Sequence, residues 1–562
     1  MSARDFGCLL TSLLCIFPPA AAVLGQNTGT AAPPTIQITT RIVYVDVVVR
    51  DSAGRIVHGL TGKDFRMIED GKPQQVDFFR DHTQDIAKVA ASAGGTGDRN
   101  EFSNVDVSGE ASNSVNVILF DFFNTAPQDQ LYARKEMIRF LEALPPGRQT
   151  ALFVLGTRLR MVQGFTGSTD RLLAAARGVK LEPSAVESLG EQQQDADLAG
   201  LISGGPAGES AMAHMFALQS GQDATRSRDI TRTALDQLAQ ALSGYPGRKN
   251  LFWLADTFPV YGGPALELHD ASNAINNNAI DLADLAQGNH QEASAQVAIY
   301  PISLMGLDAS GFGPESAGMT ASKQLFTQRA PMHSMLNDLA EQTGGQATFG
   351  SNDFAGALRR GFEDGSNYYT LAYRPENHKW DGQFRKITVK MNEGGYSLSY
   401  RRGYYALPDP PPMDSTQMLS AALQPDTPQA TMLQLRSKVE MPDAEHAAVR
   451  VNSVIDPGNV AFSTDARGRR HARLLVTLMA LPDAVDPKQT APPVQTSGVY
   501  VVDLDEAAFR KLLVSGMAMQ QQLTLAAGRY RLRLGVADMA NNRIGTLDMP
   551  IEVAASGASK GR

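Results

Sequence analysis

The hydrophobic pattern changes character several times along the chain. Over 41–82, VYVDVVVRDSAGRIVHGLTGKDFRMIEDGKPQQVDFFRD alternates strand runs with turns. Val43, Val45, Val47 and Val49 share one face, with Ile42, Tyr44 and Val48 on the other. Turns are marked at Ser52-Ala53-Gly54 and Asp70-Gly71. This predicts a small β module over 36–82. Residues 83–113 are rich in Ala, Gly, Ser and Asn and read as a flexible linker.

From 114 the pattern becomes alternating strands and helices. VNVILFDFF is a continuous apolar run, as in a strand covered on both faces. The segment 128–144 follows as a helix, with Leu131, Ile138, Leu141 and Leu144 on one side. ALFVLG (151–156), LRMVQGF (159–165), LFWLAD (251–256), AQVAIYPISL (295–304) and YYTLAY (368–373) read as strands. Helices are expected through Ile230, Ala234, Leu238 and Leu242, over 335–343 with a Gly344-Gly345 cap, and through Phe354, Leu358 and Phe362. Strands alternating with helices imply a doubly wound, mostly parallel sheet. RKITVKM and YSLSYRRGYYA extend this region to 407, and the polar, glycine-rich stretch 181–228 reads as a surface insertion. A Pro-rich linker, 408–429, precedes an all-β region over 430–556. There RYRLRLGV puts Tyr530, Leu532, Leu534 and Val536 inward and Arg529, Arg531 and Arg533 outward, and Asn541-Asn542 suits a turn. Short strands with such turns predict a β-sandwich.

Composition narrows the function classes. The chain has 562 residues, so about three domains are expected. With 51 basic against 59 acidic residues and a net charge of -8, it is no general binder of nucleic acid or anionic membranes. Residues 1–25, MSARDFGCLLTSLLCIFPPAAAVLG, read as a secretory signal peptide, with a retained anchor as the alternative. Pro18-Pro19 stops the apolar run short of the ~20 residues a membrane span needs. Both cysteines, Cys8 and Cys15, fall in this segment. A cleaved chain would have no disulfide, thiolate ligand or cysteine nucleophile, no membrane span, and a periplasmic or extracellular home.

Chemical motifs are sparse. There is no His-Glu-x-x-His motif and no Gly-Lys-Ser/Thr phosphate loop. The tyrosines 368, 369, 373, 404 and 405 read as core before they read as a carbohydrate platform.

Several stretches together resemble the VWFA-related proteins of the acidobacterial type, built on a von Willebrand factor type A domain. They are VYVDVVVRDSAGRIVHGLTGKDFRMIEDGKPQQV, NVILFDFFNT, PGRKNLFWLAD, VAIYPISLMGL, LAEQTGGQATFGSNDF, SNYYTLAYRPEN, DGQFRKITVKM, YRRGYYA and GRYRLRLGVADMANNRIGTLDMPIEV. The resemblance implies a multidomain chain. A central α/β doubly wound, Rossmann-like type A domain over 114–407 would be flanked by N-terminal and C-terminal β-sandwich-like modules. Type A domains often hold Mg²⁺ at the sheet's carboxyl edge through an Asp-x-Ser-x-Ser pattern, a second-loop Thr and a later Asp. Carried over, Asp121 matches the first Asp, Phe123 replaces the first Ser, Thr125 matches the second and Asp256 matches the later Asp. Thr231 and Thr233 are the candidates for the second-loop Thr, and with Asn124 they are the candidate ligand-binding residues. Phenylalanine offers no oxygen to an ion that wants about six. The expectation is therefore an exported, non-catalytic, adhesion-type protein that binds a protein partner through a degenerate metal site with no cofactor. A Mg²⁺-dependent binder using Asp121, Thr125 and Asp256, and an envelope enzyme with an unrecognised site, are the alternatives. The oligomeric state is left open.

Overall fold

The structure, a computed structural model, describes residues 41–83, 100–105, 114–144, 146–184, 225–245, 247–258, 297–304, 333–334, 336–351, 353–406, 414–425, 427–442, 448–482 and 493–554. The expected signal peptide lies outside these residues, as do most of 83–113 and of the 181–228 insertion. Among the described residues no helix is long and apolar enough to cross a membrane.

A five-stranded sheet forms the centre. Its order is Val297–Ser303, Arg248–Ala255, Ser114–Asp121, Thr150–Leu155, Leu159–Thr166. All neighbours are parallel except the last pair. Every residue of Ser114–Asp121, Thr150–Leu155, Arg248–Ala255 and Val297–Ser303 is buried, which is why Val117–Phe120, Ala151–Leu155 and Leu251–Ala255 within them are apolar without alternation. Val117, Leu119, Leu251 and Trp253 pack on one face against the helix at 225–242 and the one at 336–343. Ile118, Phe120, Phe252 and Leu254 pack on the other against the helices Pro127–Glu142, Thr169–Gly178 and Phe354–Ser366. The last of these lies so close that a Cβ on Gly361 would stand 2.3 Å from the Phe252 ring. The helix Pro127–Glu142 buries Ala133, Met137, Phe140 and Leu141, and leaves Leu131 49% exposed, so its buried stripe is rotated from the expected one.

Two four-stranded sheets share a separate apolar cluster. One runs Ser397–Ser399, Val43–Arg50, Tyr369–Tyr373, Phe78–Asp81; the other runs Gly403–Tyr405, Phe384–Met391, Phe65–Glu69, Lys72–Gln74. The strands between 369 and 405, expected at the end of the central region, thus pair with those of 43–81. Their sequence carries the reason. Phe384–Met391 is buried at alternate positions only, a pattern for a sheet with one covered face. Val48 is buried although it sits opposite the valine face, while Ile42 is exposed. Asp70 and Gly71 both take positive φ, 47° and 81°, the turn that matches strand twist in a two-residue hairpin. Of the tyrosines expected in the core, Tyr368, Tyr369, Tyr373 and Tyr404 are buried, and Tyr373 and Tyr404 both donate to Glu69 Oε2, at 2.6 and 2.9 Å.

The C-terminal region likewise has two sheets around one cluster. Met517–Leu523, Val449–Ile455, Leu435–Glu440 and Glu101–Ser103 form the first. Ser463–Thr464, Arg470–Pro482, Gly528–Asp538 and Ile544–Val553 form the second, and Val494–Leu504 also pairs with Arg470–Pro482. Three expectations change here. Glu101–Ser103, read as linker, is an edge strand held because Phe102 packs on the shared cluster. The linker at 408–429 contains a helix, Ser415–Ala422, and the all-β region contains another, Glu506–Ser515. Arg533, expected to face out, is fully buried. The Ser415–Ala422 helix covers that side of its strand, and the guanidinium donates to the carbonyls of Ala422 (3.0 Å) and Thr427 (2.5 Å) beside Asp548.

Thr431 joins the C-terminal region to the central one. Its hydroxyl donates to Ala241 O (2.8 Å) and accepts from Gly244 N (2.9 Å). A Cβ at Gly244 would stand 1.9 Å from Thr431 O. Gly244→Ala should therefore cost about 1–3 kcal/mol in urea unfolding. Gly178→Ala, where nothing lies within 4 Å, should be near neutral; equal costs for both would refute the joint.

Candidate functional site

The strand order reverses at Ser114–Asp121: the chain first moves outward to Thr150–Leu155, then crosses to Arg248–Ala255 on the other side. Such a switch point opens a crevice at the carboxyl ends of the two strands. The parallel register, Phe120 beside Leu254, brings Asp121 and Asp256 out at this same edge. Two loops are then tied together there. Asn124 O accepts from Asp256 N (3.2 Å) and Thr257 N (3.1 Å), and Asp256 Oδ2 accepts from Ala126 N (2.8 Å).

Asp121 is completely buried. Its Oδ1 accepts from Asn124 N (3.1 Å), and its Oδ2 accepts from Asn124 Nδ2 (2.7 Å) and Trp253 Nε1 (3.0 Å). Burial pushes its carboxyl up to about 7, against the pull of these three bonds. The Asn124 amide also donates to Thr231 Oγ1 (3.0 Å) and accepts from Ser227 Oγ (2.5 Å). Thr125 Oγ1 donates to Asp121 O (2.6 Å), and Gln130 Nε2 donates to the carbonyls of Phe122 and Thr125, both at 3.0 Å. Asp256 Oδ1 is buried and accepts no hydrogen bond. Burial foremost pushes the Asp256 carboxyl up to about 7; nearby Asp129 and Asp121 add to this, while the Ala126 bond opposes it.

Asp121, Asn124, Thr125, Thr231 and Asp256 therefore come together. Thr233 does not: it is exposed and its hydroxyl turns back to Asp229 O (2.8 Å) of its own helix. Two residues on a helix point about 200° apart, so only one of the two threonines can face the site. Phe123 is buried in the apolar cluster that holds Trp253 and Phe258. Trp253, Ser227, Gln130 and Asp129 are additions to the expected set. Trp253 carried a signal, since a buried indole N–H needs an acceptor. Ser227 lay in the presumed insertion and carried none.

The residues present do not fit the Mg²⁺ ion that the resemblance implies. Mg²⁺ needs near-octahedral oxygens at about 2.0–2.1 Å. Both Asp121 oxygens instead receive N–H groups, whose positive ends face where an ion would sit. The Thr125 hydroxyl is turned to a backbone carbonyl, and position 123 has no oxygen. Among the described residues no group of three or more His, Cys, Asp or Glu is arranged to hold a metal.

No family model matches the chain, and no curated protein matches it. Solved structures do. The minor pilin PilB of Streptococcus sanguinis is matched at TM-score 0.24 and 12% identity, over 46% of this chain and 61% of that one. A von Willebrand factor type A structure from Catenulispora acidiphila is matched at TM-score 0.20 and 9% identity, over 93% and 76%. The vWF domain of the type V pili tip protein Mfa5 from Porphyromonas gingivalis is matched at TM-score 0.16 and 12% identity, over 46% and 88%. This chain thus spans about three fifths of the pilin's length. TM-scores this low transfer neither function nor site residues.

The raised carboxyls set a pH dependence. An unfolded Asp loses its proton near about 3.9, whereas Asp121 and Asp256 keep theirs in the fold until about 7. Their contribution is fully present below about 4 and is lost as pH rises through about 7. Asp256→Asn retains an acceptor for Ala126 N and removes one titration. Its urea midpoint should fall less than the wild type's over that window; parallel curves would refute the shift.

Proposed function

We propose that this is an exported, non-catalytic protein of the VWFA-related kind, which binds a protein partner through the loops at the carboxyl edge of its five-stranded sheet. The observation that supports this most is the closed hydrogen-bond network around Asn124. It fixes the edge loops rigidly, as a contact face requires, and it engages the carboxylate that a metal or a reaction would need. Thr157 and Thr257, each just past the end of a parallel strand, are exposed at this edge and are offered as contact positions. The N-terminal sequence supports export to the periplasm or beyond. On this reading the central region is a type A domain with a degenerate metal site, and the two flanking β regions are sandwich-like modules that space or support it.

A second reading, divalent-cation-dependent binding, draws on one observation. The Asp256 Oδ1 atom is buried without a hydrogen bond beside Asp129. We take a shared proton to satisfy it, since a carboxyl held near 7 carries one at neutral pH about half the time.

Two measurements test these readings. A photo-crosslinking side chain at Thr257 should give discrete protein adducts in an envelope extract, and one at Pro146, at the opposite edge, should not. Equal labelling at both edges would sink the assignment of the face. Melting in millimolar Mg²⁺, Mn²⁺ or Ca²⁺ should leave Tm unchanged. A saturable rise in Tm that Asp256→Asn abolishes would replace the first reading by the second.

A further inference from the structure

We propose that the protein pairs with a second copy of itself through the edge strand Val494–Leu504. This strand has 11 residues, and its strand partner among the described residues is Arg470–Pro482. Gln495, Ser497, Val499, Val501 and Asp503, on its outer face, are all exposed, with Val501 at 65%. The residues from Val494 to Val502 include no charge and no proline.

That is unusual within this molecule. Edge strands invite pairing, and proteins blunt them with charges, prolines or short length. The edges Lys72–Gln74 and Ile544–Val553 carry Lys72, Pro73, Asp548, Pro550 and Glu552. Phe78–Asp81 carries Arg80 and Asp81, and Glu101–Ser103, Ser397–Ser399 and Gly403–Tyr405 have three residues each. On one side of the C-terminal region two long edges lack such devices over most of their length. The first is Val494–Val502, with Asp503 just beyond it engaged by Arg469 (2.6 Å). The second is Met517–Leu523, of the other C-terminal sheet, which also has no charge. Tyr500 reaches it by donating to Ala518 O (3.0 Å), so its side chain points under the sheet and leaves the backbone edge clear.

The occupant follows from charge and register. An edge that carries like charges repels a second copy of itself. This edge does not. Antiparallel self-pairing centred on Val499 uses all 11 positions and keeps inner face against inner face. Val499 then meets Val499, Val501 meets Ser497, Tyr500 meets Gly498, and Asp503 meets Gln495. No like charges oppose each other, and the ring of Tyr500 covers a glycine, a pairing that suits edge strands. The result is a twofold, isologous contact joining two sheets into one continuous sheet.

Sedimentation of the full chain over a dilution series tests this. Wild type should pass from dimer to monomer on dilution. Val499→Lys and Val499→Asp should each be monomeric, with unchanged urea midpoints, because each sets like charges face to face. Mixed one to one, they should recover the dimer. Should either fail to fold, the double variant Ser497→Lys, Val501→Lys, whose lysines face each other across the twofold, takes its place and should also be monomeric. A wild type that is monomeric throughout, a dimer undiminished in these variants, or a mixture that stays monomeric would each overturn the proposal.

Discussion

A carboxylate at the end of a strand with no exposed residue is the constraint around which the central region is arranged. Asp121 cannot be hydrated, and an isolated buried charge is costly. The fold meets that cost in two ways: three N–H donors converge on the group, and its proton affinity rises toward neutrality. Trp253 can be one of these donors only because its strand lies beside that of Asp121. Asn124 is another only because the chain turns sharply after Phe122. The opposite edge of the same sheet repeats the problem with the other sign. Burial pushes the Lys249 amine down to about 7, Arg248 reaches Tyr300 Oη (3.1 Å) and Gly344 O (2.7 Å), and Asn116 pairs with Asn250 (3.0 Å). Both ends of a sheet covered on two faces are thus lined by buried polar groups, most of them paired, with Asp256 Oδ1 left without a hydrogen bond.

Phe123 links this arrangement to the type of surface it presents. A hydroxyl at that position would offer an oxygen at the mouth of the crevice. The phenyl ring instead turns inward to the cluster containing Trp253, whose indole edge is bonded to Asp121. Position 123 therefore helps fix the very N–H that faces the carboxylate.

Much of the framework was legible in sequence, for physical reasons. Strands covered on both faces are apolar over most of their length, so the runs VNVILFDFF, 151–156, 251–256 and 295–304 stood out. The pairing of Asp121 with Asp256 came from the resemblance to type A domains, which places both acids after strands of one sheet. What escaped was set by distant partners. Nothing local in RYRLRLGV says that a helix 110 residues earlier will cover Arg533, which accepts burial because backbone carbonyls await its guanidinium. Nothing in ITRT distinguishes Thr231 from Thr233 until the phase of the helix is known. The bond that ties Glu101–Ser103 to the C-terminal sheet depends on one aromatic residue in a polar stretch, too weak a signal for periodicity to find. The segment 369–405 was recognisable as strands, but alternation alone does not name the sheet.

The pairing of that segment with 43–50 has a consequence for how the chain is made. Asp46 and the Thr370 that bonds it are 324 positions apart. A chain synthesised from its amino end delivers four valines that have no sheet to join until most of the polypeptide has followed. Long-range strand pairing is slow because loop closure precedes any gain from contact. The first β segment thus waits as an adhesive ribbon during synthesis, and its shielding in that interval falls to something other than its own fold.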